Sequence, residues 1–485
     1  MSKIEVNTVE PQCGTTLTLG GCGQTVALGS GASQTGFGRT GTVDWNTTKK
    51  TGDFTATNGS GFFVDTSSGA IIATLPGSPS AGNIVAIKDY TGTFGVNKCT
   101  VARNGSNIRG AASNFELGKN NSGAAFIYVD ATEGWQVFVD GSDSDAQQSY
   151  ISATGGNSVI TCGDYKTHIF TGPGTFCVAC VGCAGTNDIV DYMVVAGGGA
   201  GGPGYAGGGG GAGGFRISNS APRTGIPAPT MSPLVSTDGL TVTATPYPIS
   251  VGAGGSAGSP GGTGGSGVNS VFSTISSAGG GGGGTGGIGG GPNPNAPPSG
   301  SGGAGGSGGG AGSKATDSGF VPLAGAGNTP VVSPVQGKNG GAAGADGFSA
   351  FTNTAGGGGA GAVGTSGSSQ STAATGGAGS FLANAVIGPT APSYGTAGPV
   401  SSTRYFAGGA GGATDNPGGN PVPQGLGGAG GGGNGALGTS PGAGAVGTIN
   451  TGGGGGGAAG PSPSAPWTGG ATGGSGIVII RYKFQ

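Results

Sequence analysis

Cys177, Cys180 and Cys183 form a C-x-x-C-x-x-C run, a spacing with which thiolates hold a metal ion or an iron–sulfur cluster. The surrounding TFCVACVGCAG reads as a strand, in which residues three apart face opposite sides. Cys177 and Cys183 then face one way and Cys180 the other. The favoured reading is small, buried structural side chains; a disulfide involving Cys162 and a metal site are the alternatives. His168, the one histidine, stands in the strand-like KTHIFTG, where a structural role is preferred to a catalytic one. Polysaccharide hydrolysis needs two carboxylates across a glycosidic bond. No glutamate follows Glu133, and Asp238, Asp317, Asp346 and Asp415 are scattered singly. DGSDSDAQQ, Asp140 to Gln148, lacks the glycine and the distal glutamate of a calcium loop and reads as solvated linker. No G-K-[ST] follows a glycine run, so no lysine is placed for phosphate. The expectation is a protein that is not an enzyme and holds no cofactor or metal.

What the sequence offers in place of such chemistry is backbone. The chain has 125 glycines in 485 residues, in runs such as GGGAGGPGYAGGGGGAGGF, Gly197 to Phe215. Glycine loses more conformational freedom on folding than any other residue. Such runs either stay disordered or pair each N–H and C=O with a neighbouring segment of the same kind. Collagen is unlike this chain, because the period is broken and proline totals only 29. Charged residues are 7% and the net charge is −2, which opposes both charge-driven disorder and a basic nucleic-acid footprint. No apolar run reaches the ~18 residues of a membrane span. The opening MSKIEVNTVEPQ lacks a signal-peptide apolar region, so assembly in a cytosol is expected.

The pattern divides the chain. Residues 1–43 hold short alternating segments that cannot bury a core alone, so they are expected to intertwine with identical chains or dock on a partner. Residues 44–141 carry strand candidates such as GFFVDTS, AIIATLP, NIVAIKDY and GWQVFVD between turns, which predicts an antiparallel β-sandwich. Residues 142–149 read as the linker. Residues 150–485 form the glycine-rich part: a β unit at 150–196, glycine segments and connections at 197–475, and a closing strand at 476–485. Short β-prone segments repeatedly feed glycine runs, near 197, 252, 279, 356, 408 and 452, and this favours order. Extended glycine segments with three residues per turn, of the polyproline-II kind, point N–H and C=O outward to neighbours. The predicted fold is therefore all-β with a domain of packed polyglycine-II-type helices.

Connections on a rigid scaffold are where binding sits. Their aromatic, Arg and Asn residues Tyr394, Arg404, Tyr405, Phe406, Asn416 and Trp467 are the candidate contacts. The alternative for Tyr405 and Phe406 is that they cover one end of the glycine core. Tyr205 and Phe215 read as packing caps.

MSKIEVNTVEPQCGTTLTLGGCGQTVALGSGA resembles the opening of structural fibre proteins of marine tailed phages, particularly those infecting cyanobacteria. GSGFFVDTSSGAIIATLPGSPSAGNIVAIKDYTGTFGVNKCTVARNGSNI is similar to a β-sandwich module of such fibres, and DYMVVAGGGAGG through GIVIIRYKF to the glycine-rich domains of fibre-tip adhesins. The resemblance implies a homotrimer and a virion protein, assembled in the host cytoplasm. Residues 1–43 would attach to another virion protein, and tip loops would touch a host surface glycan or outer-membrane protein. This chain departs from the best-known adhesins by carrying all three regions in one short polypeptide. An accessory neck, capsid or tail appendage is therefore the alternative role, and a matrix protein a more distant one.

Overall fold

A computed structural model describes residues 43–140, 150–181, 188–220, 231–259, 261–286, 300–313, 321–344, 354–367, 374–414, 423–460 and 468–484. The chain falls into two compact units, divided between Gln147 and Gln148. The attachment segment expected at 1–43, apart from its last residue, and the linker at 142–149 lie outside the described residues.

Unit one contains β1 (Asp44–Lys50), β2 (Phe54–Thr55), β3 (Ser60–Val64), β4 (Ile71–Thr74), β5 (Ile84–Asp89), β6 (Cys99–Ala102), β7 (Phe115–Leu117), β8 (Gly123–Asp130) and β9 (Gly134–Asp140). These make two sheets, ordered β1-β3-β5-β8-β9 and β2-β4-β6-β7. The antiparallel sandwich expected from the sequence is corrected here. From β1 to β6 the chain steps alternately between the sheets, so each sheet gains its next strand in parallel: β1 with β3, β3 with β5, β2 with β4, and β4 with β6. Only β7, β8 and β9 pair antiparallel. Period-two apolarity tells which face of a strand is buried, but not which strand lies beside it. Parallel neighbours need a crossover, and here the opposite sheet supplies it. The winding buries Phe62, Val64, Leu75, Ile87, Phe94, Val101, Phe115, Phe126 and Trp135 between the sheets. Asp89 organises one end: its carboxylate accepts the backbone N–H groups of Gly92 at 2.9 Å and Asn121 at 2.9 Å, with longer bonds from Thr91, Thr93 and Phe94.

Unit two begins with β10 (Ser152–Thr154), β11 (Ser158–Cys162), β12 (Tyr165–Phe170), β13 (Gly174–Cys180), β14 (Ile189–Val195) and β15 (Phe215–Ser218). Then come β16 (Val235–Ser236), β17 (Leu240–Thr241), β18 (Pro246–Ser250), β19 (Ser270–Phe272), β20 (Ile275–Ser277), β21 (Ser380–Ala383) and β22 (Thr403–Phe406). The C-terminal strand is β23 (Ile477–Lys483). Between β21 and β22 lie a one-turn helix α1 (Asn384–Ile387) and a 3-10 turn (Gly388–Ser393). The β unit is not closed at residue 196. β23 returns to the centre of its sheet, antiparallel to β12 on one side and β14 on the other. Both of its faces are covered, as its continuous apolar run requires. Val478, Ile480 and Tyr482 join Phe176 and Phe272, while Ile477 and Ile479 join Phe215 and Phe406. No helix among the described residues is long and apolar enough to cross a membrane.

The expectation of buried cysteines fails on β13. Phe176 and Val178 point inward, while Cys177 and Cys180 are exposed free thiols, as is Cys162. Cys177 faces out by plain alternation between Phe176 and Val178, whereas for Cys180 a register shift opposite Ser152 and Ala153 is the cause. Such an irregularity adds a residue and turns the strand, so parity counted from Cys177 misplaces Cys180. Cys183 lies outside the described residues. Among the described residues, no group of His, Cys, Asp and Glu is arranged to hold a metal.

Candidate functional site

Leaving β14, the chain enters its first glycine segment, crosses to the far end, turns through 203–206 and returns to β15 as segment 207–214. In this returning segment the hydrogen-bond partner repeats every third residue. Gly207, Gly210 and Gly213 donate to Ala458, Gly455 and Gly452; Gly208, Gly211 and Gly214 donate to Gly284, Gly281 and Ala278; Gly209 and Ala212 donate to Ala355 and Gly358. Its carbonyls serve three more directions, accepting from Gly202, Gly199 and Ala196, from Gly310 and Ser307, and from Ala413 and Ala410. The segment is thus bonded on all sides to 196–202, 278–286, 306–313, 354–360, 406–414 and 452–460. Those six also bond in a closed ring, through Gly280 to Gly197, Gly281 to Ser307, Ala355 to Ala311, Gly357 to Ala410, Gly454 to Gly408 and Gly455 to Gly199.

Glycine is required by distance. A Cβ added to Gly210 would stand 2.2 Å from the carbonyl oxygen of Gly199, and one on Gly454 2.0 Å from that of Gly210. Real Cβ atoms do not come so close, and the obstacle is backbone that cannot swing away. The same short Cα-to-carbonyl approach is a weak Cα–H···O contact. Alanine enters where methyls meet one another, as in the cluster of Ala413, Ala436 and Ala459 and that of Ala311, Ala343 and Ala355.

The lattice has two unlike ends. One joins the sheets. At the other, Gly286, Ser313 and Gly460 donate to the backbone of Pro203, Ala206 and Tyr205, and Gly204 donates to Thr468. The described residues flanking 287–299, 314–320 and 461–467 therefore gather around the 203–206 turn, away from the sheets. Tyr205 is buried there, as a packing cap should be.

The six contact candidates do not form one site. Asn416 and Trp467 lie outside the described residues. Tyr394, Arg404, Tyr405 and Phe406 stand at the sheet end. Phe406 is 0% exposed and belongs to the core with Phe215 and Ile479; Tyr405 is 5% exposed and lies tilted against Phe381 with centroids 5.2 Å apart. The expectation that these two rings face solvent is corrected, and they cover the end of the glycine core. Strand alternation alone would bury one of them. The second is covered because the segment from 394 turns back along β22, Thr396 and Tyr405 exchanging backbone bonds of 2.9 Å, and sets Gly398 on the Tyr405 ring. Arg404 clamps that segment, Nε donating to the Tyr394 carbonyl at 2.7 Å and a terminal nitrogen to that of Gly395 at 2.7 Å. Tyr394 is half-buried against the core.

His168 is structural in its contacts. Its ring nitrogens lie 2.7 Å from the Gly155 carbonyl and 3.1 Å from the Tyr482 hydroxyl, and burial holds its pKa below the usual imidazole value. Asp191, paired across strands with Arg481, is pushed up by burial, an effect opposed by the Ser220 N–H at 2.8 Å and the Ser218 hydroxyl at 3.0 Å. The Arg481 guanidinium rests 3.8 Å above the Tyr165 ring. The cavity beside Asp191, under α1, is about 10 Å3, room for one water molecule at most.

Sequence reasoning missed the amide side chains that terminate the lattice. Gln336 is fully buried; its Oε1 accepts the Ala278 N–H at 2.8 Å and its Nε2 donates to the Pro330 carbonyl at 2.8 Å. Asn269, Asn339 and Asn434 likewise accept the N–H groups of Gly279, Gly327 and Gly427. A single amide interrupting a glycine-rich stretch was the available signal.

No curated protein matches this chain. The glycine-rich domain family matches residues 171–483, from the end of β12 to the last residue of β23. That span holds the complete segment array and the strands that open and close it, and the chain belongs to the glycine-rich domain family.

Proposed function

We propose that this protein is a virion fibre of a tailed phage, in which the glycine-rich unit is a stiff tip that presents loops to the host surface. In this reading the glycine segments are polyglycine-II-type helices. The three-residue repeat of hydrogen-bond partners supports that, since three residues per turn rotates each successive N–H to a new neighbour. The observation that carries the proposal is the asymmetry of the lattice: one end abuts apolar strands, while at the other the described residues flanking 287–299, 314–320 and 461–467 gather around the 203–206 turn. Long connections on a rigid frame suit recognition. Residues 1–43 would join the chain to another virion protein and to two further copies, making a homotrimer. The ligand would be a host glycan or an outer-membrane protein. Buried Phe406 and Tyr405, and Arg404 held by its bonds to backbone carbonyls, move recognition in this reading to the end around the 203–206 turn. The test replaces residues 415–422 and 461–467 with Gly-Ser linkers of equal length and measures adsorption of labelled full-length chain to a panel of cyanobacteria. Loss of adsorption with unchanged melting supports the proposal. Equal adsorption favours an accessory appendage, and a stable full-length monomer contradicts the trimer.

A further inference from the structure

Unit one carries a row of aromatic rings on the outer face of its parallel sheet edge. Phe62 and Val64 point into the core, so Phe63 between them points out. Trp45 of β1 lies against it, with centroids 4.9 Å apart and planes tilted by 30°. Tyr90, just past β5, follows edge-on at 6.4 Å. Trp45 is 46% exposed and Tyr90 55% exposed. Gly61 is the reason Trp45 can lie flat: a Cβ there would stand 2.7 Å from the indole ring. Rings half open to water in one row are costly unless something covers them.

Polar groups at the Tyr90 end define the ligand. The Lys49 ammonium donates to Asp65 at 2.7 Å and sits 5.1 Å over the Tyr90 ring. The Thr91 hydroxyl donates to Asp65 at 3.1 Å and meets that of Thr93 at 2.8 Å. Lys49 beside it holds the Asp65 carboxyl well below the usual carboxylate range. Lys88 donates to the Asn121 carbonyl at 2.8 Å, and Lys50 lies over the Phe54 and Phe62 rings. The charges around the row are thus committed to one another, to backbone or to rings, so the strip offers little to a polyanion. It offers flat apolar faces beside the exposed Thr91 hydroxyl, which complements an uncharged molecule with apolar C–H faces and a rim of hydroxyls.

We propose that Trp45, Phe63 and Tyr90 form a binding strip for a neutral polysaccharide chain, with the exposed Thr91 hydroxyl bonding one of its hydroxyls. This site is separate from the glycine-rich unit and does not depend on the fibre reading.

The experiment is affinity electrophoresis of the full-length chain in native gels cast with a soluble β-glucan, a mannan or a dextran. At least one of them should retard the protein, and Trp45→Ala and Tyr90→Ala should each weaken that retardation at least tenfold. Phe138→Ala, on the opposite edge strand β9, should not. Because Trp45 packs on Gly61, Tyr90→Ala decides the matter if Trp45→Ala alters melting. No retardation by any of the three, retardation that both variants keep, or retardation only by alginate or an oligothymidylate would each overturn the proposal.

Discussion

The two units solve the same problem with opposite materials. Unit one fills the space between its sheets with Phe, Ile, Leu, Val and Trp side chains. Unit two fills much of its interior with main chain, and segment 207–214 is surrounded by other glycine segments. Apolar burial is non-directional and tolerates repacking. A lattice of backbone bonds spaced by Cα-to-carbonyl contacts is directional and has no spare volume. The units should therefore fail in different ways when a methyl group is added or removed.

The largest effect is expected in the lattice centre. Gly210→Val should prevent unit two from folding, or lower its melting by well over the about 1–3 kcal/mol usual for overpacking, because its neighbours are backbone. Gly172→Ala is the matched control: a Cβ there meets nothing within 4 Å, so calorimetry should find a change within about 0.5 kcal/mol. In unit one the order reverses. Trp135→Ala, emptying a fully buried site, should cost about 3–5 kcal/mol, whereas a volume-conserving Ile87→Leu should cost less than about 1.5 kcal/mol. A lattice that absorbed Gly210→Val as easily as unit one absorbs Ile87→Leu would erase the distinction.

Smaller effects sharpen it at the join between strands and lattice. Arg404→Ala frees the carbonyls of Tyr394 and Gly395 and should cost about 1–3 kcal/mol, with Arg404→Lys recovering only part, since one ammonium lacks the fork that spans both. His168 gives a pH signature. Its pKa is lower folded than unfolded, so its contribution is present above about pH 6.5 and is lost as pH falls through the folded value. Melting of unit two should drop between pH 7 and pH 5, and His168→Gln should flatten that slope.

Much of this was legible because glycine is a demanding signal. Runs around Gly197, Gly279 and Gly452 leave few ordered options, and the apolar GIVIIRYKF marked a closing strand, though not its place between β12 and β14. What escaped was partner choice. AIIATLP and NIVAIKDY read equally well as hairpin strands or as successive windings of two sheets, because period two marks faces and not neighbours. Cys180 was misplaced by one register shift, which strand parity cannot foresee. Tyr405 and Phe406 stood in a connection rich in polar residues, and only the return of the chain along β22, which sets Gly398 on the Tyr405 ring, decided that both are covered. Gln336 and Asn269 act through bonds to residues distant in sequence, and a lone amide near a glycine run does not say which N–H it will accept.

The most direct test of the backbone lattice is native-state amide exchange read by mass spectrometry on peptides covering 196–214. If Gly199, Gly208 and Gly211 donate as described, these amides should exchange only with global unfolding of unit two, as slowly as β14 and β23. Exchange of the 207–214 amides within seconds, while β14 and β23 remain protected, would contradict the account.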